Sequence, residues 1–291
     1  MKLVVFRTGH RDRLGWVVGE GVVPSDGMAD VPGTYEELIA AGPDGLAALR
    51  RAAAAFEGDP GHSLADLDLR APIGRPGKVV AIGRNYREHV EEEGSTLPAQ
   101  PLVFAKFPSS IIGPMEPIRW DPGLTSGVDF EAELGVVIGA VARHVSPESA
   151  LDHVLGYTCL NDVSARDLQF SDGQWVRAKS LDTFCPAGPW ITTADEIDPT
   201  SLRIRCLVNG TVMQDASTAD LIFGVAELIS RLSHSFTLEP GDVIATGTPS
   251  GVGGFRTPPI YLADGDEVVV EIEGIGELRN TCEVVALAGR S

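Results

Sequence analysis

Asp129, Glu131 and Glu133 alternate along Val128–Gly139, a stretch of β-branched and apolar residues bracketed by Gly127 and Gly139. That composition predicts a strand. Successive side chains on a strand project to opposite faces, so the three acids share one face while Phe130, Ala132 and Leu134 share the other. Residues two apart sit about 7 Å from one another, and like charges that close repel on a half-buried surface unless a cation lies between them. An all-oxygen ligand set suits a hard ion, Mg²⁺, Mn²⁺ or Ca²⁺, before zinc or copper. Taken alone, the pattern serves equally well as a solvated strand face.

Further groups with chemical capacity lie on either side. His89 and Glu92 are three apart in Gly83-Arg84-Asn85-Tyr86-Arg87-Glu88-His89-Val90-Glu91-Glu92. On a helix they share a face, and the carboxylate can orient or polarise the imidazole; a surface ion pair has the same spacing. An apolar strand from Gly156 delivers Asn161-Asp162 to its end, a position typical of pocket residues and of helix caps alike. Thr246-Gly247-Thr248-Pro249-Ser250-Gly251-Val252-Gly253-Gly254 is dense enough in glycine for backbone amides to approach a ligand closely. It lacks the GK[ST] ending of a phosphate loop and does not match GxGxxG.

The elements that must position these groups can be read in outline. The chain has 291 residues, enough for one large domain with a small appendage. Residues 2–23 suggest a hairpin. Thr34 and Glu37 form a capping box that opens a short helix ending near Gly42-Pro43, and a second, alanine-rich helix runs from Asp44 to about Phe56. Pro72, Gly74, Pro76 and Gly77 mark a linker, so a small N-terminal α/β domain is expected over 1–71 and a catalytic domain over 72–291. Lys78–Ile82 reads as a buried strand, and Ser146-Pro147 as the start of a helix ending before Gly156. Asn209-Gly210 reads as a hairpin turn, and apolar spacing predicts a helix over about 218–233.

Composition excludes several partner classes. Lys and Arg number 23 against 41 Asp and Glu, a net charge of -18 that repels nucleic acid and anionic membranes. A small anionic substrate stays compatible if local cations line its pocket. No stretch approaches the roughly 20 apolar residues of a membrane span, and the N-terminal apolar run is too short for a signal peptide. Cys159, Cys185, Cys206 and Cys282 lack CxxC spacing and are read as reduced core thiols of a cytoplasmic protein.

Gly83-Arg84-Asn85-Tyr86 with His89, Asp129-Phe130-Glu131-Ala132-Glu133-Leu134, Asn161-Asp162-Val163-Ser164-Ala165-Arg166-Asp167-Leu168-Gln169, Arg177-Ala178-Lys179 and Gly247-Thr248-Pro249-Ser250-Gly251-Val252-Gly253 follow one another in this order. In that order they resemble the fumarylacetoacetate hydrolase superfamily over roughly residues 72–287. The resemblance implies an α+β, strand-rich mixed β-roll with peripheral helices, assembled as a homodimer. It implies that Glu131, Glu133 and Asp162 bind one Mg²⁺ or Mn²⁺, with Ca²⁺ as a substitute and Asp129 outside the ligand set. By the same resemblance Lys179 stabilises developing negative charge and His89 with Glu92 forms a proton-abstracting dyad on a lid. Gln169 and Thr248, with the amides around Gly247, would hold substrate oxygens, and Arg84 and Tyr86 would contact the substrate from the lid.

Such a cation can chelate a 2-oxo acid or a 1,3-dicarbonyl through adjacent oxygens. Breaking a C–C bond next to that carbonyl leaves an enolate, which the cation and Lys179 can hold. The leading expectation is therefore a metal-dependent hydrolase of a short 2,4-dioxo acid, an acylpyruvate. The same site also suits an oxaloacetate decarboxylase, or an isomerase or lyase of an oxo diacid. A metabolite-binding member without turnover is the remaining alternative. Gly83, Arg84, Asn85 and Tyr86 stand where mammalian-type members of the family place an additional acidic ligand. That departure points toward the acylpyruvate hydrolase and oxaloacetate decarboxylase branch.

Overall fold

The computed structural model describes residues 1–286; residues 287–291, the end of the segment assigned to the catalytic domain, lie outside the described residues. Short segments of β-branched and apolar residues build two packed sheets. The larger has twelve strands. Its main path runs His62–Ser63, Gly21–Pro24, Arg11–Val18, Lys2–Thr8, Cys185–Thr193, Val154–Asn161, Ala132–Ile138, Val243–Ala245, Val79–Gly83, Leu102–Lys106. The second sheet has five strands, in the order Thr211–Ser217, Arg203–Val208, Glu267–Ile272, Gly276–Val284, Ile118–Trp120. Most neighbours are antiparallel, but Val243–Ala245 runs parallel to Val79–Gly83 and Gly276–Val284 parallel to Ile118–Trp120. This is the strand-rich, mixed α+β architecture the sequence implied.

Alternation along the strands decides which core each residue enters. Leu134, Val136, Ile138, Tyr157 and Cys159 pack against Ile204, Cys206, Val268, Val270 and Leu278 of the five-stranded sheet, forming the core between the sheets. The opposite face of the large sheet presents Val79, Ala81, Val137, Leu155, Val243 and Ala245 to the N-terminal segment. There Leu3, Trp16, Tyr35, Leu38 and Leu49 cover them.

The helical segment Tyr35–Ala55 opens where predicted, the Thr34 hydroxyl accepting from the Glu37 amide while Glu37 accepts from the Gly33 amide. Gly42 interrupts it at φ 57°, just before Pro43, whose missing N–H and fixed φ suit the start of a second helix. Lys2–Thr8 joins the large sheet by pairing with Cys185–Thr193, so residues 1–71 and the rest of the chain share one sheet and one core.

Three local expectations need correction. Val128–Gly139 is not one strand. Val128–Asp129 pairs with Ser164–Ala165 in a separate two-stranded ribbon, the backbone breaks at Phe130-Glu131, and only Ala132–Ile138 enters the large sheet. The break turns Asp129 to the Gly253 and Gly254 amides and to Arg166, through which it is linked to Glu131. After Ser146-Pro147 the chain makes turns and a 3₁₀ segment, Ala150–His153. The helix expected over 218–233 splits into a 3₁₀ turn, Thr218–Asp220, and a helix, Val225–Ser235, because Ile222 and Phe223 bond to Asn85 in between.

The shared core yields a prediction. A chain beginning at Ala71 would uncover Val79, Ala81, Val137, Leu155 and Val243 at once, a large contiguous apolar face. It is expected to aggregate or to lose cooperative thermal unfolding. Unfolding at the full chain's temperature and with its cooperativity would show that the N-terminal segment is dispensable for that core.

Candidate active site

Strand register brings the acids together. Ala132 pairs with Asn161 across the two central strands, and the ladder continues one step further. The Asp162 amide donates to the Glu131 carbonyl at 2.9 Å, and the Glu131 amide donates to Asn161 Oδ1 at 3.0 Å. Glu133 sits one pleat further along, facing away from Leu134 and the inter-sheet core. One oxygen from each of Glu131, Glu133 and Asp162 lies within 4.8 Å of the other two, and all three residues are buried.

Three buried cations answer this charge. Lys179, at the end of the short helix Val176–Lys179, donates to Glu131 Oε2 and Asp162 Oδ2, both at 2.7 Å. Lys106, from the sheet-edge strand, reaches Asp162 Oδ1 at 2.5 Å and also bonds the Lys179 carbonyl. Arg166 Nη2 lies 2.7 Å from Glu131 Oε1, and its Nε donates to Asp129 Oδ2 at 2.8 Å. Burial opposes ionisation of Glu131, but the adjacent Lys179 and Arg166 outweigh it and hold its carboxyl below the usual range. Lys179 is likewise desolvated, yet Asp162 and Glu131 keep it firmly protonated.

Glu133 differs. Its only polar contact among the described residues is the Gly247 amide, donating to Oε2 at 2.9 Å, and it has no ion-pair partner. Burial, then repulsion from Asp162 and Glu131, pushes its carboxyl well above the ordinary range. A buried carboxylate cluster with one uncompensated member and a set of converging oxygens fits a hard divalent cation. Glu131, Glu133 and Asp162 would hold it.

The other predicted residues take distinct places. His89, on the helix Arg87–Glu92, is buried and has both ring nitrogens engaged. Nδ1 lies 3.0 Å from Glu92 Oε2, as the spacing suggested, and Nε2 lies 3.2 Å from Glu93 Oε1. Burial lowers the imidazole's proton affinity, but hydrogen bonds to Glu92 and Glu93 prevail and raise its pKa to about 9. Glu92 Oε1 also accepts the Gly251 amide at 3.0 Å, tying the helix to the glycine loop. Arg84, Gln169 and Thr248 line the same cavity as His89, Glu131, Glu133 and Lys179. Tyr86 does not: it is buried below the helix, bridges Leu221, and its hydroxyl has no hydrogen-bond partner.

The cavity holds about 10 Å³, room for one water. Trp175, Phe104, Ile82, Gly83, Glu93 and Arg166 complete its wall, and a Cβ on Gly83 would lie 2.4 Å from the Trp175 ring.

The glycine loop serves the scaffold more than the cavity. Gly247 at φ 102° turns its amide to Glu133, while the Gly253 and Gly254 amides, both at 2.8 Å, grip Asp129. Gly253 has no room for a side chain, since a Cβ there would lie 1.8 Å from the Ile260 carbonyl oxygen. Lys106, Arg166 and Glu93 were not singled out from the sequence. Arg166 stood within a quoted motif, and Glu93 is four residues after His89, a helical spacing that could have flagged it. Lys106 carried no local signal, because its partner Asp162 is 56 residues away.

A family model described as the fumarylacetoacetate hydrolase C-terminal domain matches residues 78–283. A human mitochondrial oxaloacetate tautomerase is 42% identical over 288 residues, covering 96% of this chain and 91% of that protein. An oxaloacetate tautomerase of Bacillus subtilis is 43% identical over 264 residues, 87% of either chain. A maleylpyruvate hydrolase from Sphingobium, solved with manganese(II) and pyruvate, superimposes with a TM-score of 0.79 at 33% identity, covering 98% of this chain and 99% of that one.

The raised His89 pKa fixes a sign. Its ion pairs stabilise the fold fully below the ordinary histidine value of 6.5, and that contribution disappears as pH rises through about 9. Without added metal, the wild-type melting temperature is expected to fall more across this window than that of His89→Gln. Equal falls in the two proteins would remove the imidazole as the cause.

Proposed function

The chain belongs to the fumarylacetoacetate hydrolase family, and from that premise we propose that it is a divalent-metal-dependent enzyme acting on a small 2-oxo acid by proton transfer at the carbon beside the ketone, as in keto–enol tautomerisation of oxaloacetate. A cation held by Glu131, Glu133 and Asp162, Mg²⁺ or Mn²⁺, would act as a Lewis acid toward the oxo-acid oxygens. Everything else falls to side chains of this chain. His89, oriented by Glu92, carries the proton to or from the carbon. Lys179 stabilises the negative charge that develops on the enolate oxygen. Gln169 and Thr248 orient the carboxylate and carbonyl, and closure of the helix Arg87–Glu92 keeps bulk water from quenching the enolate.

The observation that carries this reading is the placement of a carboxylate-braced imidazole on the wall of the very cavity that gathers the three acids and Lys179. Proton transfer needs a proton-carrying group and a charge sink facing one carbon, and an imidazole held protonated by Glu92 and Glu93 can give its proton to the carbon of an enol. The names of the human and Bacillus relatives point the same way.

Hydrolysis of an acylpyruvate-like C–C bond, the leading expectation from the sequence, becomes the second reading. It is favoured by the likeness to a hydrolase solved with pyruvate and manganese. It asks for an additional water at the distal carbonyl, activated by the same His89. Decarboxylation of oxaloacetate is a variant of the first reading, with CO₂ leaving in place of a proton. We place the protein in the cytoplasm as a homodimer; its four cysteines, buried and unpaired, suit a reducing compartment.

The test is to supply enol-oxaloacetate and acetylpyruvate to the Mg²⁺- or Mn²⁺-loaded protein and follow loss of the enol, CO₂ and acetate separately. Acceleration of enol loss without acetate is expected. Acetate release with no tautomerisation would replace the first reading by the second. Lys179→Met is expected to lower kcat about a hundredfold or more while metal still binds, whereas Glu131→Gln is expected to lose the metal. Unchanged kcat in the first variant, or normal metal affinity in the second, would take that residue out of its assigned role.

A further inference from the structure

Glu93 is an internal carboxylate seated where a ligand would sit. Its side chain is only 8% exposed. Oε2 accepts from Arg84 Nε at 2.6 Å, and Oε1 lies 3.2 Å from His89 Nε2. Ser95 Oγ stands 3.4 Å from Oε2. Glu93, Arg84 and His89 all line the cavity that holds Glu131, Glu133 and Lys179. Burying a further carboxylate beside three others is unfavourable, and only the guanidinium and the imidazole compensate it.

The cavity as it stands admits one water and not a four-carbon acid, so binding must displace part of its wall. Glu93 is placed to leave. It caps the C-terminus of the helix Arg87–Glu92, its amide bonding the His89 carbonyl, and Gly94 follows at φ 63°, so the side chain can swing out without unwinding the turn that carries His89. Arg84 is not placed to follow. Its own backbone is held in the left-handed region at φ 57°, its neighbour Asn85 is bonded to Phe223 and Thr246, and its guanidinium lies 5.8 Å from the Trp175 ring centre. When Glu93 departs, Arg84 and His89 lose their partner together. A carboxylate arriving on the ligand restores the Arg84 ion pair and leaves His89 Nε2 free to face the substrate carbon, whereas a neutral tail leaves the guanidinium without a counter-charge at the cavity wall.

Resting on the reading of the site as a metal-dependent oxo-acid centre, we propose that Glu93 occupies the seat of the substrate's second carboxylate, and that Arg84 exchanges Glu93 for that carboxylate when a dicarboxylic oxo acid binds. Arg84 is then the residue that selects diacids over acids with uncharged tails. Glu93 is the competitor that keeps the empty site closed and its cations paired. The exchange trades one carboxylate for another, so it moves no net charge. It also draws the ligand against the imidazole Nε2.

Malate and lactate test this without turnover, because both offer a 2-hydroxy acid for chelation and only malate has a second carboxylate. Calorimetric titration of the Mg²⁺-loaded protein is expected to give malate a preference on the order of tenfold, the scale of one charge-assisted hydrogen-bonded pair. Arg84→Met is expected to bring malate down to the affinity of lactate while lactate is unchanged, and Arg84→Lys, the milder variant should the first fail to fold, to keep part of the preference. Glu93→Gln is expected to tighten malate several-fold and lactate by less, because only malate competes with Glu93 for Arg84, and a merely structural role for Glu93 would not widen the preference. Equal binding of the two acids by the wild type, an equal loss for both in Arg84→Met, or weaker malate binding in Glu93→Gln would overturn the exchange while leaving the metal centre standing. Failure of both acids to bind would overturn the oxo-acid reading of the site and the exchange with it.

Discussion

Three carboxylates are forced together in a place where water cannot screen them, and much of the molecule answers that constraint. The antiparallel ladder between Ala132–Ile138 and Val154–Asn161 sets it up, since extending the register by one residue places Asp162 against Glu131. No local rearrangement separates them without breaking the central pairing of the sheet. The charges must then be met by cations from elsewhere. Lys106 comes from an edge strand, and Lys179 and Arg166 come from two short helices that follow the Asp162 turn. Each cation is buried, so each is as dependent on the acids as the acids are on it. Among the described residues Glu133 has no such answer, and a divalent cation would complete the arrangement.

Behind the three acids lies a second layer whose purpose is position. Asp129 accepts the amides of Gly253 and Gly254 and the guanidinium of Arg166, and Arg166 in turn meets Glu131 and Gln169. The glycine loop therefore acts on the site at one remove, by fixing an acid that fixes an arginine. Its close approach to the chain at Ile260 leaves no space for any side chain at Gly253. Gln214 reinforces the layer from the other sheet, accepting the Ala132 amide and donating to Thr248. Packing between the two sheets is thereby coupled to the geometry of the cavity.

The cover over the cavity is a helix of six residues, too short to be stable alone. It is held by what it touches: Glu92 on the Gly251 amide, Glu88 with Ser250, and the His89 ring against Phe255. Its anchor is Asn85, whose side chain makes three hydrogen bonds to Phe223 and Thr246.

Much of this was legible in the chain itself. The DFEAEL and NDVSARDLQ segments, through the family resemblance, point to the three acids that converge, while HVEE pairs the imidazole with its first carboxylate by spacing, and the capping box and Asn209-Gly210 mark their elements, because helix periodicity and turn chemistry are local properties. Folding decided what depends on partners far away in sequence. Strand alternation put Asp129 on one face with Glu131 and Glu133, but the backbone break at Phe130-Glu131 turns it toward Arg166. Lys106 looked like any strand-end lysine until Asp162 arrived beside it, and Tyr86 went beneath the helix because Leu221 pairs with it there. Residue type and short-range spacing state which chemistry is available. Which groups share a low-dielectric space, and so must neutralise one another, is a property of register and packing alone.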